Sequence, residues 1–137
     1  MAFKLTLRGA YKILSTYFDG TAEVASLSLY LYTAGSPTIN TATTSGFTEA
    51  ANYTRPVLST SSGDAVMGTS EGTSVGNPSS VGTSQITITF TGTTSAIIGY
   101  LVLDTSSNVI AWDTLSSSVT SQGSGDTLKL SIVATLS

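Results

Sequence analysis

The chain has 137 residues, of which 40% are hydrophobic and 9% are charged, and its formal net charge is −3. This length and apolar content predict a folded domain with a core rather than a disordered chain. Five basic residues give little positive surface, so nucleic-acid binding through phosphate contacts is not expected. Cysteine and histidine are absent, which excludes disulfides and the common structural zinc sites, and we expect no cofactor.

Residues 1–20 are predicted to form an N-terminal arm followed by a short amphipathic helix. Phe3 and Leu5 alternate with polar residues as in an extended strand. Over about residues 8–18 the apolar positions recur at helical spacing instead, and Asp19-Gly20 predicts the turn that ends the helix. The residues of this apolar stripe, which we select as candidates for contact with a partner or a second copy, are Leu7, Tyr11, Leu14 and Phe18.

Two interpretations of this stripe are open from the sequence. The helix packs on the chain's own β-structure, or it packs against another subunit. Lys4, Arg8 and Lys12 interrupt the apolar runs, so the segment is not expected to be a signal peptide. No apolar run approaches the length of a membrane span, and we expect a soluble protein without membrane contact.

From residue 21 onward the pattern is typical of β-strands. The stretch SLSLYLYT (26–33) alternates leucines with Ser28, Tyr30 and Tyr32, which predicts one buried and one wetted face. NYTRPVLS (52–59) predicts a strand that Pro56 places at a sheet edge. Strict alternation predicts two more half-buried strands, QITITFT (85–91) and TLKLSIVATLS (127–137).

The stretch AIIGYLVLD (96–104) is apolar throughout, which predicts an interior strand covered on both faces. NVIAWD follows after the short polar segment that begins at Asp104. This order predicts a β-hairpin with its turn between Asp104 and Asn108.

Residues 60–84 are rich in Gly, Ser and Thr and are predicted to form a long loop, with room for a further strand near DAVMG (64–68). Neither side of this loop has enough predicted strands to close a sandwich, so it is expected to lie within one domain. The predicted organisation is an arm and helix at 1–20 and a single domain at 21–137. We expect an all-β fold, an antiparallel β-sandwich with jelly-roll topology.

The sequence contains few features that are typical of catalytic sites. Serine and threonine are abundant, but histidine is absent, and no nucleophile elbow, P-loop or zinc-protease motif occurs. Asp104 and Asp113 flank the predicted hairpin and are candidates for a carboxylate pair or a calcium site. The alternative, which the sequence favours, is that both cap turns at strand ends. We therefore expect no enzymatic activity.

Two further side chains invite a functional interpretation. Trp112 alternates with Ile110, which favours a core position, although exposed aromatics can also stack on sugars. Arg55 is one of five basic residues, and it is expected either to pair with a nearby carboxylate or carbonyl or to contact a partner.

The order of these features resembles small virion structural proteins of tailed bacteriophages. The residues that carry the resemblance are YFDGTAEV, LSLYLYTAGSP and NYTRPVL, followed after the Ser/Gly-rich stretch by ITITF, IIGYLVLDTSSNVIAWDTL and SGDTLKLS. They match a strand like LYLAL-T, a strand like GYAR and a C-terminal SGDTL turn. NYTR stands where GYAR would, so only Tyr53 and Arg55 match there.

The resemblance implies a non-enzymatic β-sandwich protein of a virion, either a capsid decoration (cement) protein or a tail-associated protein. A short chain with one domain and no fibrous stem favours capsid decoration. The expected partners are then the major capsid protein and the chain itself, as a homotrimer. The protein would be made in the cytoplasm of the host bacterium and would lie on the capsid surface. The alternative is a receptor- or glycan-binding module of a tail or fibre.

Overall fold

The fold was analysed in a computed structural model, which describes residues 4–11, 26–59, 65–70, 79–120 and 122–136. These residues are mostly β-strand, with one short helix, α1, that begins at Leu7 and is described as far as Tyr11. The predicted all-β class is confirmed. The strands are β1 Lys4–Leu5, β2 Leu27–Ala34, β3 Thr48–Glu49, β4 Val57–Ser59, β5 Ala65–Ser70, β6 Ser79–Thr83, β7 Ile86–Thr89, β8 Ile97–Leu103, β9 Val109–Val119, β10 Thr127–Leu130 and β11 Val133–Leu136.

Most of these strands form one large sheet, in the order β1-β9-β8-β2-β4-β5-β6-β11, with β3 paired to the far end of β2. Its pairs are antiparallel apart from the parallel pair β4–β5. Strands β7 and β10 form a separate antiparallel ribbon. Neither sheet closes on itself, and the jelly-roll topology stays a prediction.

The ribbon covers one face of the large sheet, which gives a sandwich-like arrangement. The alternation that predicted β7 is observed, because Ile86 and Ile88 are buried while the threonines between them are exposed. The core side chains come from β2, β8, β7 and β10: Leu29, Leu31, Tyr100, Val102, Ile86, Ile88, Leu128 and Leu130. Burying this apolar surface is the main stabilising contribution to the fold.

The opposite face of β2 is also buried, so the prediction of a wetted face there is wrong. Tyr30 and Tyr32 are 4% and 0% exposed, and they belong to a second apolar cluster with Leu101 of β8. The segment between β2 and β3 crosses this face. Phe47 from that segment packs edge-on against Tyr32, with ring centroids 5.3 Å apart.

The interior strand and its hairpin are confirmed. Strand β8 lies between β2 and β9, and Leu101 on it is fully buried. Asp104 caps the turn, since its Oδ1 accepts hydrogen bonds from the backbone N–H groups of Ser106 and Asn108, both at 2.9 Å. Ser107 takes a positive φ of 62° in this turn.

Two predictions about strand placement are wrong. The stretch at 52–59 is not an edge strand, because Pro56 precedes β4 and removes no donor from it, and β4 is flanked by β2 and β5. The stretch at 127–137 is not one strand. It breaks after Leu130, where β10 leaves the β7 ribbon and β11 pairs with β6 in the large sheet.

The predicted loop at 60–84 is also wrong over two of its segments. Strands β5 and β6 pair in antiparallel register, with Met67 opposite Thr83 and Thr69 opposite Val81. Both strands contain β-branched threonine or valine, which favour extended backbone and need no charged neighbours. Residues 60–64 and 71–78 lie outside the described part of the chain.

Candidate functional site

The N-terminal segment is attached to the outer long strand of the sheet. Strand β1 pairs with β9, with Lys4 opposite Trp112. Thr6 follows and is 1% exposed; its hydroxyl donates to the carbonyl of Val109 at 2.7 Å and accepts from the N–H of Gly9 at 3.0 Å. Thr6 is thus the N-cap of α1 and also fixes the helix to β9.

Close backbone contact holds α1 in this position. A Cβ at Gly9 would stand 2.0 Å from the carbonyl oxygen of Ile110, so only glycine allows this approach. The N–H of Leu7 donates to the carbonyl of Ile39 at 2.9 Å, which joins the start of the helix to the segment between β2 and β3.

These contacts place exposed apolar residues on three adjoining segments of the chain, β1, α1 and the segment at Ile39. Leu5 from β1, Leu7 and Tyr11 from α1, and Ile39 from the adjoining segment are 39%, 58%, 66% and 55% exposed. We call these four residues the N-terminal patch. They are four of the five large apolar side chains that are exposed in the described residues, the fifth being Val57 on β4.

The predicted stripe is therefore only partly described. Leu7 and Tyr11 point to solvent rather than packing on the chain's own sheet, and Leu14 and Phe18 lie outside the described residues. Leu5 and Ile39 were not selected from the sequence. The one signal for Ile39 was a lone large apolar residue in a polar segment, GSPTINTATTSG.

Beside the patch, a row of side chains crosses four strands. Tyr30, Leu101, Trp112 and Lys4 are successive register partners on β2, β8, β9 and β1. The Nζ of Lys4 lies 4.6 Å from the centre of the Trp112 ring, a cation–π contact. Trp112 is partly buried and packs against the second apolar cluster, at the margin of the core rather than within it as the alternation predicts.

Arg55, the remaining candidate, is paired within the chain. Its Nε and Nη2 donate to the two oxygens of Glu49, both at 2.6 Å, a bidentate ion pair. Its guanidinium also lies 4.9 Å from the centre of the Tyr30 ring. The expected pairing with a carboxylate is confirmed, and about a third of each charged side chain reaches solvent.

Tyr53 completes this group, which we call the Glu49 cluster: Glu49, Tyr53 and Arg55. The Tyr53 hydroxyl donates to Glu49 at 2.9 Å and accepts from the N–H of Leu31 at 2.9 Å. Strand β2 pairs with β4 at one end and with β3 at the other, and the Tyr53 hydroxyl provides the hydrogen-bond acceptor for Leu31 between these two pairings. No local pattern in the sequence predicts this role for Tyr53.

The cluster shifts the pKa of its members. Burial alone would raise the pKa of Glu49, but the hydrogen bonds from Arg55 and Tyr53 outweigh it and hold this pKa below 4.5, its ordinary value. Burial, together with the hydrogen bond to the Glu49 carboxylate, raises the pKa of Tyr53. Glu49 and Arg55 are therefore both charged near neutral pH.

An open depression of about 450 Å³ adjoins this cluster. Its lining carries hydroxyl groups and one carboxylate: Thr33, Thr48, Glu49, Ala51, Thr93, Thr94 and Ser95. Such a surface can offer hydrogen bonds to a polar ligand, but it presents no aromatic ring for stacking.

The two aspartates do not form a site. Asp113 is 6% exposed and lies within β9, not at a strand end as predicted, and its Oδ1 accepts from the N–H of Thr114 at 2.8 Å. Its register partner is Tyr100, four residues before Asp104, so the two aspartates are offset by about 13 Å along the strands. Among the described residues no group of three acidic side chains could hold a metal ion.

No protein-family model, curated protein or solved structure matches this chain. Within the described residues, no helix has the length and apolar character that crossing a membrane requires.

Proposed function

We propose that the protein is a non-enzymatic structural component of a bacteriophage virion, a capsid decoration protein that binds and stabilises the head shell. The observation that supports this proposal is the N-terminal patch, an exposed apolar surface held on a sheet edge by buried contacts. The assignment to a phage virion rests on the resemblance of the sequence to virion structural proteins. On this proposal the protein is made in the host cytoplasm and ends on the capsid surface.

The patch has the properties that docking requires. Fully burying an exposed aliphatic or aromatic side chain contributes about 1.5–3 kcal/mol, so a partner that covers the exposed 39–66% of these four side chains gains about half of that from each. Thr6 and Gly9 fix α1 against β9, so little conformational entropy is lost when a partner covers it. The low charge of the remaining surface also permits close approach of identical subunits, and we propose a homotrimer on the shell.

Binding to shells tests the proposal directly. The purified protein should co-sediment with phage heads that lack it, saturate at a fixed ratio to the capsid protein, and raise the temperature at which the heads disrupt. Light scattering of the free and released protein gives the number of chains in the complex. Absence of saturable binding to heads contradicts the proposal.

The alternative function is a glycan- or receptor-binding module of a tail. The hydroxyl-lined depression beside Glu49 favours it, because sugars are bound through such hydrogen-bonding groups. A glycan array separates the two functions. A specific glycan signal that disappears in Thr93→Val, in a protein that ignores heads, would favour the tail module.

A further inference from the structure

Charge is distributed very unevenly along this chain. Lys4, Arg8 and Lys12 are three of its five basic residues, while all eight acidic residues come after position 18. Residues 1–12 therefore carry a formal charge of +3, and residues 13–137 carry −6. The N-terminal patch belongs almost entirely to the positive segment.

The structure places two of these cations beside the patch. Lys4 precedes Leu5 in β1, is exposed, and holds its ammonium group over the Trp112 ring. Arg8 is exposed on α1, three residues before Tyr11, a spacing that puts the two side chains on the same side of the helix. Arg8 forms no ion pair with the acidic residues that the structure describes.

We propose that the N-terminal patch docks on an acidic protein surface, an apolar depression rimmed by carboxylates. This inference rests on the proposed function, in which that surface belongs to the capsid shell. The apolar side chains provide the buried area, and Lys4 and Arg8 orient the docking and accelerate it through complementary charge.

A second copy of the chain fits this description poorly over its described residues. Asp104 and Asp113 are buried, and Glu49 is paired with Arg55. Of the four acidic residues that the structure describes, Asp126 is the one left with an exposed carboxylate, and its Oδ2 already accepts from the N–H of Gly123 at 2.6 Å. A partner with its own acidic rim is the better complement.

An anionic membrane is the other surface that attracts basic and apolar side chains together. The patch does not have the form of a membrane-surface helix. It combines β1, α1 and the segment at Ile39, with side chains held by different parts of the fold. Such a surface, built from three parts of the fold, is better matched to the rigid surface of a folded protein than to a lipid bilayer.

A matched pair of charge reversals tests the proposal. Arg8→Glu and Lys129→Glu change the net charge equally, and both side chains are exposed, but Lys129 lies on β10, outside the patch. An acidic residue in the first turn of α1 is favoured by the helix dipole, so Arg8→Glu should keep the fold, which circular dichroism checks. Binding to purified heads is measured at low and at physiological salt.

We expect Arg8→Glu to weaken head binding about tenfold at low salt, Lys129→Glu to leave it unchanged, and added salt to reduce the difference. Equal affinities of the wild type and Arg8→Glu for heads would overturn the proposal that the patch docks on an acidic surface, while leaving the proposed function intact. A change in self-association alone, or Arg8-dependent binding to phosphatidylserine vesicles in place of heads, would also overturn it. Failure of the wild type to bind heads contradicts the proposed function itself.

Discussion

Tyr32 on β2 lies over Gly99 on β8, and its hydroxyl stands where a side chain at position 99 would begin. A Cβ on Gly99 would be 2.3 Å from this hydroxyl and 2.5 Å from the carbonyl oxygen of Asp113. The hydroxyl is also 3.2 Å from the side-chain oxygen of Thr114, so it is hydrogen-bonded as well as packed. One glycine thus lets an aromatic ring span the three central strands.

Gly99→Ala should therefore destabilise the protein by about 1–3 kcal/mol, because the backbone of β9 cannot move away without breaking the ladder. Urea unfolding measures the change. Gly123→Ala is the matched control, since the nearest atom to its Cβ would be Asp126 Oδ2 at 3.5 Å and its φ is not positive. Equal stabilities of the two variants would contradict the packing described for Tyr32.

The Tyr53 hydroxyl leads to a second prediction. Tyr53→Phe leaves the N–H of Leu31 without its acceptor in a buried strand, which should cost about 1–3 kcal/mol of unfolding free energy. Tyr30→Phe removes a hydroxyl whose contact, to the Phe47 carbonyl, is long at 3.4 Å, and should cost less. A Tyr53→Phe protein as stable as the wild type would show that Tyr53 does not hold this edge of β2.

The Glu49 cluster predicts a pH dependence of stability. The pKa of Glu49 in the folded protein lies below the value of about 4.5 in the unfolded chain, so its contribution is complete above that pH. The contribution is lost as the pH falls through the folded pKa, when the carboxylate that Arg55 binds is protonated. Glu49→Gln should cost about 0.5–1 kcal/mol near pH 7, a modest value because the pair is a third exposed.

Between about pH 7 and pH 3, the wild type should lose more unfolding free energy than Glu49→Gln, and the two should converge at the acid end. Denaturant unfolding at a series of pH values measures both curves. Parallel curves would mean that Arg55 does not stabilise the Glu49 carboxylate in the folded state.

Thr6 is expected to control how the patch is presented. Thr6→Val keeps the shape of the side chain but removes the hydroxyl that joins α1 to β9, which should cost about 1–2 kcal/mol. Thr6→Ser retains the hydroxyl and should stay close to the wild type. Hydrogen exchange at Gly9 and Ala10 should increase in Thr6→Val alone; unchanged exchange would contradict the capping role.

Local patterns in the sequence predict the strands well where burial follows a simple period. In β7 the buried residues Ile86 and Ile88 alternate with exposed ones, and β8 is apolar throughout. In both strands the local pattern alone predicts which side chains are buried. The burial of Tyr30 and Tyr32 could not be predicted in this way. It depends on Phe47, from a segment distant in sequence, which packs over this face of β2. Tyrosine itself is common on both exposed and buried faces of sheets.

The break between β10 and β11 shows the same limit. The apolar alternation continues without interruption from Leu128 to Leu136, but the partner strand changes from β7 to β6 at this point. Hydrogen bonds between Thr83 and Ile132 hold the corner, and no local pattern marks it. At the candidate site, helical spacing predicts that Leu7 and Tyr11 share one side of a helix, whereas Ile39 adjoins this helix only through a tertiary backbone hydrogen bond.

Docking through the N-terminal patch is tested by the affinity for heads of proteins altered only within this patch. Deleting residues 1–18 would also remove Thr6 and strand β1, so the point variants Leu7→Gln and Tyr11→Gln are cleaner. Val57→Thr is the matched control, an exposed apolar side chain on β4, away from the patch. All three should unfold at the wild-type denaturant concentration, because the altered side chains are exposed.

We expect Leu7→Gln and Tyr11→Gln each to raise the Kd for heads about tenfold, since burying the exposed part of each side chain contributes about 1–2 kcal/mol, while Val57→Thr leaves the Kd unchanged. A Kd for both patch variants equal to that of the wild type would contradict the assignment of this surface as the docking site.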